Sequence, residues 1–276
     1  MEEKGLTGNK EGKRMRLIAG IGWMAEEALD KLLDNQQIEG IIFGDYFCNR
    51  KMYKSGMTDL ISYAEKTVQK GKDIYYQTPV YITSRNFSYV LDIAEMLRRI
   101  CDRVGKSIKI LVQDVGMVRI LKEEMAESEL IWGQFGRNRE NTITKTFLKF
   151  LKDIDVSGAV VTEIGRSIVY REMGLKVYGI YGTYHCQTFG RTCYNMDQID
   201  EELVKCDRQC WDGWYLKQEN QEYRLTIDGY VLGESYDYCL GRYGTRDIME
   251  KTQDCLICAR DIEQWNEYFK AWKEME

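Results

Sequence analysis

Nine cysteines stand in this 276-residue chain beside one histidine and one proline. Thiols are therefore its most conspicuous reactive groups. Cys206-Asp-Arg-Gln-Cys210 is a close pair, Cys193 lies just before it in Gly190-Arg191-Thr192-Cys193, and Cys48 stands alone far upstream. Thiolate is a soft ligand that selects iron–sulfur clusters, zinc or cuprous copper, and four thiolates close a tetrahedral site or a cubane. The flanks of these cysteines are polar (Asn-Arg-Lys after Cys48, Asp-Arg-Gln after Cys206), which suits ligand loops. Four unrelated thiols, some of them buried, are the plainer reading, since free cysteine is among the most buried residue types.

The remaining candidates are fewer. Cys255-Leu-Ile-Cys258 has the spacing of a redox or zinc half-site. Its interior is apolar and reads as a strand, which sends its two side chains to opposite faces and favours a structural role. Cys101, late in a helix, and Cys239, in an aromatic-rich strand, read as structural. His185 is the sole side chain titrating near neutrality without help, either a proton donor beside a cluster or a hydrogen-bonded bystander. Asp114 and Glu163 follow apolar strands; each either caps the next helix or serves a site. Arg166 and Arg191 offer bidentate contacts to an anionic substrate, with exposed ion pairing as the alternative. Gly20-Ile-Gly22 and Gly241-Arg-Tyr-Gly244 lack the full pattern of a phosphate loop.

Bulk properties narrow the setting. Net charge is −5 and the sequence pI about 5.3, with Lys and Arg scattered, so nothing advertises a nucleic-acid surface. No run approaches the roughly 20 apolar residues that span a bilayer. Met1 to Arg16 is polar and mixed in charge, without the apolar core of a leader. The expectation is a cytoplasmic protein with reduced thiols, where clustered cysteines bind metal more often than they form disulfides.

These groups need elements to position them. After a flexible tail over 1–14, short apolar runs alternate with amphipathic stretches. Strands are expected at Arg16–Ile21, Ile38–Phe43, Asp73–Ile82, Ser107–Val112, Glu129–Phe135, Gly158–Glu163 and Lys176–Tyr181. Helices are expected at Trp23–Asn35, Thr58–Lys70, Tyr89–Val104, Gly116–Ala126, Ile143–Leu151 and Arg166–Met173, with Gly71, Gly105 and Gly174 as stops. Seven strand–helix units predict an α/β fold, a TIM-like (β/α) barrel, complete or incomplete, forming a single domain over 15–276. Beyond Tyr181 come a cysteine-bearing irregular segment at about 182–215, a hairpin within Tyr223–Leu240 turning at Asp228-Gly229, and a helix at Ile262–Lys273 with Trp265, Phe269 and Trp272 on its apolar face. In a barrel, loops after the strands share one rim. Cys48 follows strand two; Cys193, Cys206 and Cys210 follow strand seven; Asp114, Gln134 and Glu163 end strands four, five and six.

Four stretches, Gly44-Asp-Tyr-Phe-Cys48-Asn-Arg50, Gln113-Asp114-Val-Gly116, Thr162-Glu163-Ile-Gly-Arg166 and Tyr181-Gly-Thr-Tyr-His185-Cys186 through Cys193 to Cys206 and Cys210, together resemble the collagenase-like peptidase (U32) family. The likeness is closest to its ubiquinone-biosynthesis members UbiU and UbiV. That resemblance implies an incomplete (β/α) barrel carrying a [4Fe–4S] cluster and a part in hydroxylations that do not use molecular oxygen, on a quinone precursor or on RNA bases. It implies Cys48, Cys193, Cys206 and Cys210 as ligands, with Cys186 as the alternate that UbiU-like members use. It also implies a possible homologous partner chain. Thr192 is an insertion relative to the family's Gly-Arg-Cys, and three residues separate Cys206 from Cys210 where a tighter run is expected. With the charge balance, a small aromatic or quinone-precursor substrate is favoured over RNA; a non-catalytic partner role is the second reading, and peptidase activity the last because one histidine leaves no visible nucleophile–base pair.

Overall fold

The computed structural model describes residues 16–20, 26–44, 57–78, 87–112, 114–133, 144–161, 169–181, 227–228, 231–232, 254–258, 266 and 270. Strand and helix alternate as the hydrophobic pattern requires: β1 Arg16–Gly20, α1 Glu26–Asp34, β2 Ile38–Gly44, α2 Met57–Gln69, β3 Asp73–Gln77, α3 Phe87–Val104, β4 Lys109–Val112, α4 Val115–Glu124, β5 Glu129–Trp132, α5 Lys145–Asp153, β6 Gly158–Val161 and β7 Lys176–Tyr181. Residues 169–172 are also helical, between β6 and β7. A short antiparallel pair, β8 Ile227–Asp228 and β9 Val231–Leu232, follows where the Asp228-Gly229 signal lies. β10, Asp254–Cys258, comes last.

Eight parallel strands close a ring in the order β1-β10-β7-β6-β5-β4-β3-β2. The expected (β/α) barrel is therefore present. Its eighth strand comes from the apolar run around Cys255-Leu-Ile-Cys258, inserted between β1 and β7. Following paired residues once round the ring, from Gly20 through Ile42, Tyr75, Lys109 and Glu129 and on by β6, β7 and β10, returns to β1 eight positions below the start (20 − 12). Eight strands with that stagger give the packed interior of a TIM barrel rather than a pore. Among the described residues no helix stands between β7 and β10.

The strands divide two cores by their alternation. Ile42, Tyr75, Leu111, Ile131, Val160 and Tyr178 fill the interior. Tyr75 and Tyr178 meet there edge to face, ring centroids 6.4 Å apart. Their rings occupy space left by two glycines. A Cβ on Gly40 would lie 2.7 Å from Tyr75 Cε2, and one on Gly158 2.8 Å from both Tyr178 Cε2 and the Lys176 carbonyl. Outward residues such as Ile41, Ile110, Leu130 and Val177 pack instead against helix faces carrying Leu29, Leu32, Leu97, Leu121 and Leu151. Fully burying one such side chain contributes roughly 1.5–3 kcal/mol, so this shell is the larger stabilising term. α5 is held by Trp132, whose ring meets Phe147 at 5.8 Å and Phe150 at 6.3 Å.

Helix ends follow local chemistry. Gly71, Gly105 and Gly174 adopt φ of 72°, 64° and 82°, the left-handed turn that stops a helix and that a side chain resists. Lys72, next to the first of these, is buried and donates to the carbonyls of Asn35 (2.9 Å) and Ile38 (2.6 Å), tying the α1–β2 turn to β3. Burial pulls its ammonium below the usual lysine range, while Glu39 and Asp34 act in the other direction. Of the expected C-terminal helix, Asn266 and Lys270 are described; both are helical and exposed, one turn apart. The tail over 1–14 and the segment at 182–215 lie outside the described residues.

Candidate functional site

The carboxyl ends of parallel barrel strands all face one way, which makes that rim the place to look for a site. Inward positions there follow from the interior core. Two residues beyond Ile42, Tyr75 and Ile131 come Gly44, Gln77 and Gly133, and Gly20 pairs in register with Ile42 itself. Three of these four positions carry no side chain. Gly44 has φ +99°, and a Cβ there would stand 2.3 Å from the Gln77 carbonyl oxygen, so only glycine lets β2 lie this close to the end of β3.

Gln77 is the exception among the glycines, and it is completely buried. Its Nε2 donates to the Thr78 carbonyl at 3.1 Å, while among the described residues no donor reaches its Oε1. Thr78, also buried, donates through its backbone N–H (3.0 Å) and its Oγ1 (3.1 Å) to the Leu111 carbonyl, clamping β3 to β4. Gly133 N–H donates to the Val112 carbonyl at 2.7 Å, extending the β4–β5 ladder one residue past the strand.

Asp114 sits one turn outside this ring. It is the N-cap of α4, its Oδ1 accepting from the Met117 N–H at 3.1 Å and its carbonyl from the Val118 N–H at 3.2 Å. Capping was one of the two roles its position allowed, and the structure makes that bond. Glu163, His185, Arg166, Arg191 and Gln134 lie outside the described residues, as do Cys48, Cys186, Cys193, Cys206, Cys210 and Cys239. Among the described residues no group of three or more His, Cys, Asp or Glu could hold a metal ion. Cys255 and Cys258 are consecutive parts of β10, three positions apart and so of opposite parity in its pleat. Cys101 is a half-buried thiol whose pKa burial pushes up, the inert kind rather than the ligating kind.

Chain connectivity bears on the thiols. Cys48 is four residues beyond Gly44, and Cys186 and Cys193 are five and twelve beyond Tyr181. Four residues reach at most about 14 Å and twelve about 40 Å. β2 and β7 are three strand spacings apart round the ring, about 14 Å. Ligands from both segments can therefore meet at one rim, and four thiolates suit a cubane.

The opposite rim is built for stability. Inward positions at the amino ends from β7 round to β2 read Lys176, Gly158, Glu129, Lys109, Asp73 and Gly40, charges alternating in sign wherever a charge occurs. Asp73 pairs with Lys109 at 2.6 Å and Lys106 at 2.7 Å. Burial works against its charge, yet these two hydrogen-bonded cations prevail and hold its carboxyl below the usual aspartate value. Lys109 and Lys176 also lie 5.1 and 4.8 Å from the ring centroids of Tyr75 and Tyr178, closing the floor with cation–π contacts.

Neither Gln77 nor the charged floor was found from sequence. Tyr75-Tyr-Gln77-Thr78 held the signal for Gln77, a polar residue in phase with an inward tyrosine at a strand's end.

No protein-family model and no curated protein matches this chain. Solved structures do. The U32 peptidase Mk0906 superposes with a TM-score of 0.51 at 10% identity over 94% of this chain and 98% of its own. Orotidine 5'-monophosphate decarboxylase from Methanocaldococcus jannaschii, complexed with the inhibitor BMP, superposes with a TM-score of 0.52 at 12% identity over 95% and 98%. At such identities the likeness is one of fold: a TIM-like barrel, shared with a U32 peptidase over nearly its whole length. Among the described residues no helix is long and apolar enough to cross a membrane.

Proposed function

We propose that this chain is an iron–sulfur protein of the U32 type, supporting oxygen-independent hydroxylation of a small aromatic or quinone-precursor substrate. Cys48, Cys193, Cys206 and Cys210 would hold a [4Fe–4S] cluster, with Cys186 as the alternate ligand. The observation that carries the reading is the shared rim. The strands feeding both cysteine-bearing stretches end on one face of a closed barrel whose fold matches a U32 peptidase over 94% of the chain. When bound, a cubane supplies one-electron transfer. The chain's own contribution is to place a substrate beside it: Arg166 and Arg191 as cations for an anionic group, Glu163 and His185 as proton carriers, and Asp114 fixing the start of α4 at the same rim. A small substrate is preferred over RNA because net charge is −5 and tight RNA binding rests on phosphate neutralisation.

Anaerobic purification followed by iron, sulfide and visible-spectrum measurement tests this. About four iron and four sulfide per chain are expected. Cys193→Ala, Cys206→Ala or Cys210→Ala should abolish the chromophore, and Cys255→Ala should keep it. Stoichiometric zinc without sulfide would sink the cluster. Hydroxylation seen only after a homologous chain is added would assign the partner role.

A further inference from the structure

We propose that Gly44 is a positioning residue for the Cys48 thiol: its left-handed backbone, seated against the Gln77 carbonyl, sets where and in which direction the chain leaves β2. Among the described residues four glycines adopt positive φ. Gly71, Gly105 and Gly174 stop helices, and a Cβ built on any of these three would meet no described atom within 4 Å. Gly44 differs on both counts. It closes a strand, and its Cβ would stand 2.3 Å from the Gln77 carbonyl oxygen and 3.2 Å from the Gln77 carbonyl carbon and backbone nitrogen. A helix stop asks for the turn alone. The end of β2 asks for the turn and the close approach together, and glycine alone supplies both.

The wall that Gly44 meets is fixed. Gly44 pairs in register with Gln77, and Gln77 and Thr78 are both fully buried. Thr78 holds the end of β3 to the Leu111 carbonyl through its N–H (3.0 Å) and its Oγ1 (3.1 Å). The Gly133 N–H then ties β5 to the Val112 carbonyl at 2.7 Å. An added Cβ is therefore relieved by moving the end of β2, not by moving the wall. Cys48 lies four residues further on, within about 14 Å of chain. A residue that leaves the left-handed region at position 44 re-aims everything after it, whereas a ligand constellation tolerates roughly 0.5 Å and 10–20°. The inference deepens the cluster reading by naming what places its upstream ligand; it rests on that reading's set of thiols and not on iron.

Disulfide trapping in the metal-free full chain, with diamide as oxidant and mass mapping of linked peptides, reads thiol placement without iron. Wild type should link Cys48 to one of Cys186, Cys193, Cys206 or Cys210. Gly44→Ala, scored on folded monomer, should lower that yield about tenfold, since the new Cβ displaces the end of β2. Gly71→Ala carries the left-handed cost without the backbone contact and should keep the wild-type yield. Gly44→Asn enters the left-handed region more readily but still bears a Cβ; it should lose the link too, and it serves if Gly44→Ala does not fold. After anaerobic reconstitution both Gly44 variants should also retain less iron than Gly71→Ala. No Cys48 link in wild type, an undiminished yield in either Gly44 variant, an equal loss in Gly71→Ala, or failure of both Gly44 variants to fold would each overturn the role. A wild-type chain that traps the link yet binds no iron would end the cluster reading and leave the role of Gly44 standing.

Discussion

Replacing Asp73 with Asn would test whether the charged floor of the barrel is a working part of its stability. The change is nearly isosteric and removes one negative charge between Lys106 at 2.7 Å and Lys109 at 2.6 Å. The Asp73 and Lys109 side chains retain 25% and 19% of their exposure, so these pairs are better shielded than surface bridges but still touch water. Exposed pairs are worth about 0.2–1 kcal/mol, and hydrogen bonds to charged groups about 1.5–3 kcal/mol. Discounted for solvent, the two together should contribute about 1–2 kcal/mol at pH 7, or about 2–8 °C in midpoint for a chain of this size. The pH dependence follows from the direction of the shift. The folded carboxyl is held below the ordinary aspartate value by Lys106 and Lys109, against the opposing effect of burial. Its stabilisation is therefore complete above the unfolded-state value of about 3.9 and is lost as pH falls through the lower folded value. Urea or thermal midpoints of wild type and Asp73→Asn should differ at pH 7 and converge as the pH falls through the lowered folded value of this carboxyl. Equal midpoints at pH 7 would refute the reasoning, and so would a gap that persists unchanged at the acid end.

Two further substitutions probe other parts of the same framework. Gly158→Ala should destabilise by about 1–3 kcal/mol or more, because the new Cβ meets the Lys176 carbonyl and the Tyr178 ring at 2.8 Å and backbone cannot yield; a wild-type urea midpoint would show that the interior is looser than its contacts imply. Asp114→Asn should keep wild-type stability while Asp114→Ala loses about 1 kcal/mol, since Asn caps a helix as well as Asp does; equal losses in both would refute the capping role.

The parts of this fold that local pattern controls were legible in the sequence, and the parts set by register were not. Strand and helix positions follow from period-two and period-3.6 runs, and Gly71, Gly105 and Gly174 stop their helices for a reason internal to one residue. β10 shows where that kind of reading ends. Asp254-Cys-Leu-Ile-Cys258 is plainly a strand, yet its seat between β1 and β7 depends on the ring needing an eighth member, which no local signal states. The same limit hid the floor. Asp73, Lys109, Glu129 and Lys176 look like ordinary strand-end charges until the stagger of eight brings alternate signs round one rim. Gln77 and Asp114 illustrate the site's side of the argument. A carboxylate after a strand announces itself as chemistry, and here the bond it makes is a helix cap. An amide inside a run of tyrosines announces nothing, and its place as the wall that Gly44 meets comes only from pairing and burial, both tertiary facts. The cysteines sit between these cases. Their residue type points to a soft metal, their order resembles U32 proteins, and the strands that feed them end on one rim. Ligation itself is then decided by iron and sulfide, not by spacing, because chain reach from β2 and β7 admits Cys186 as readily as Cys193.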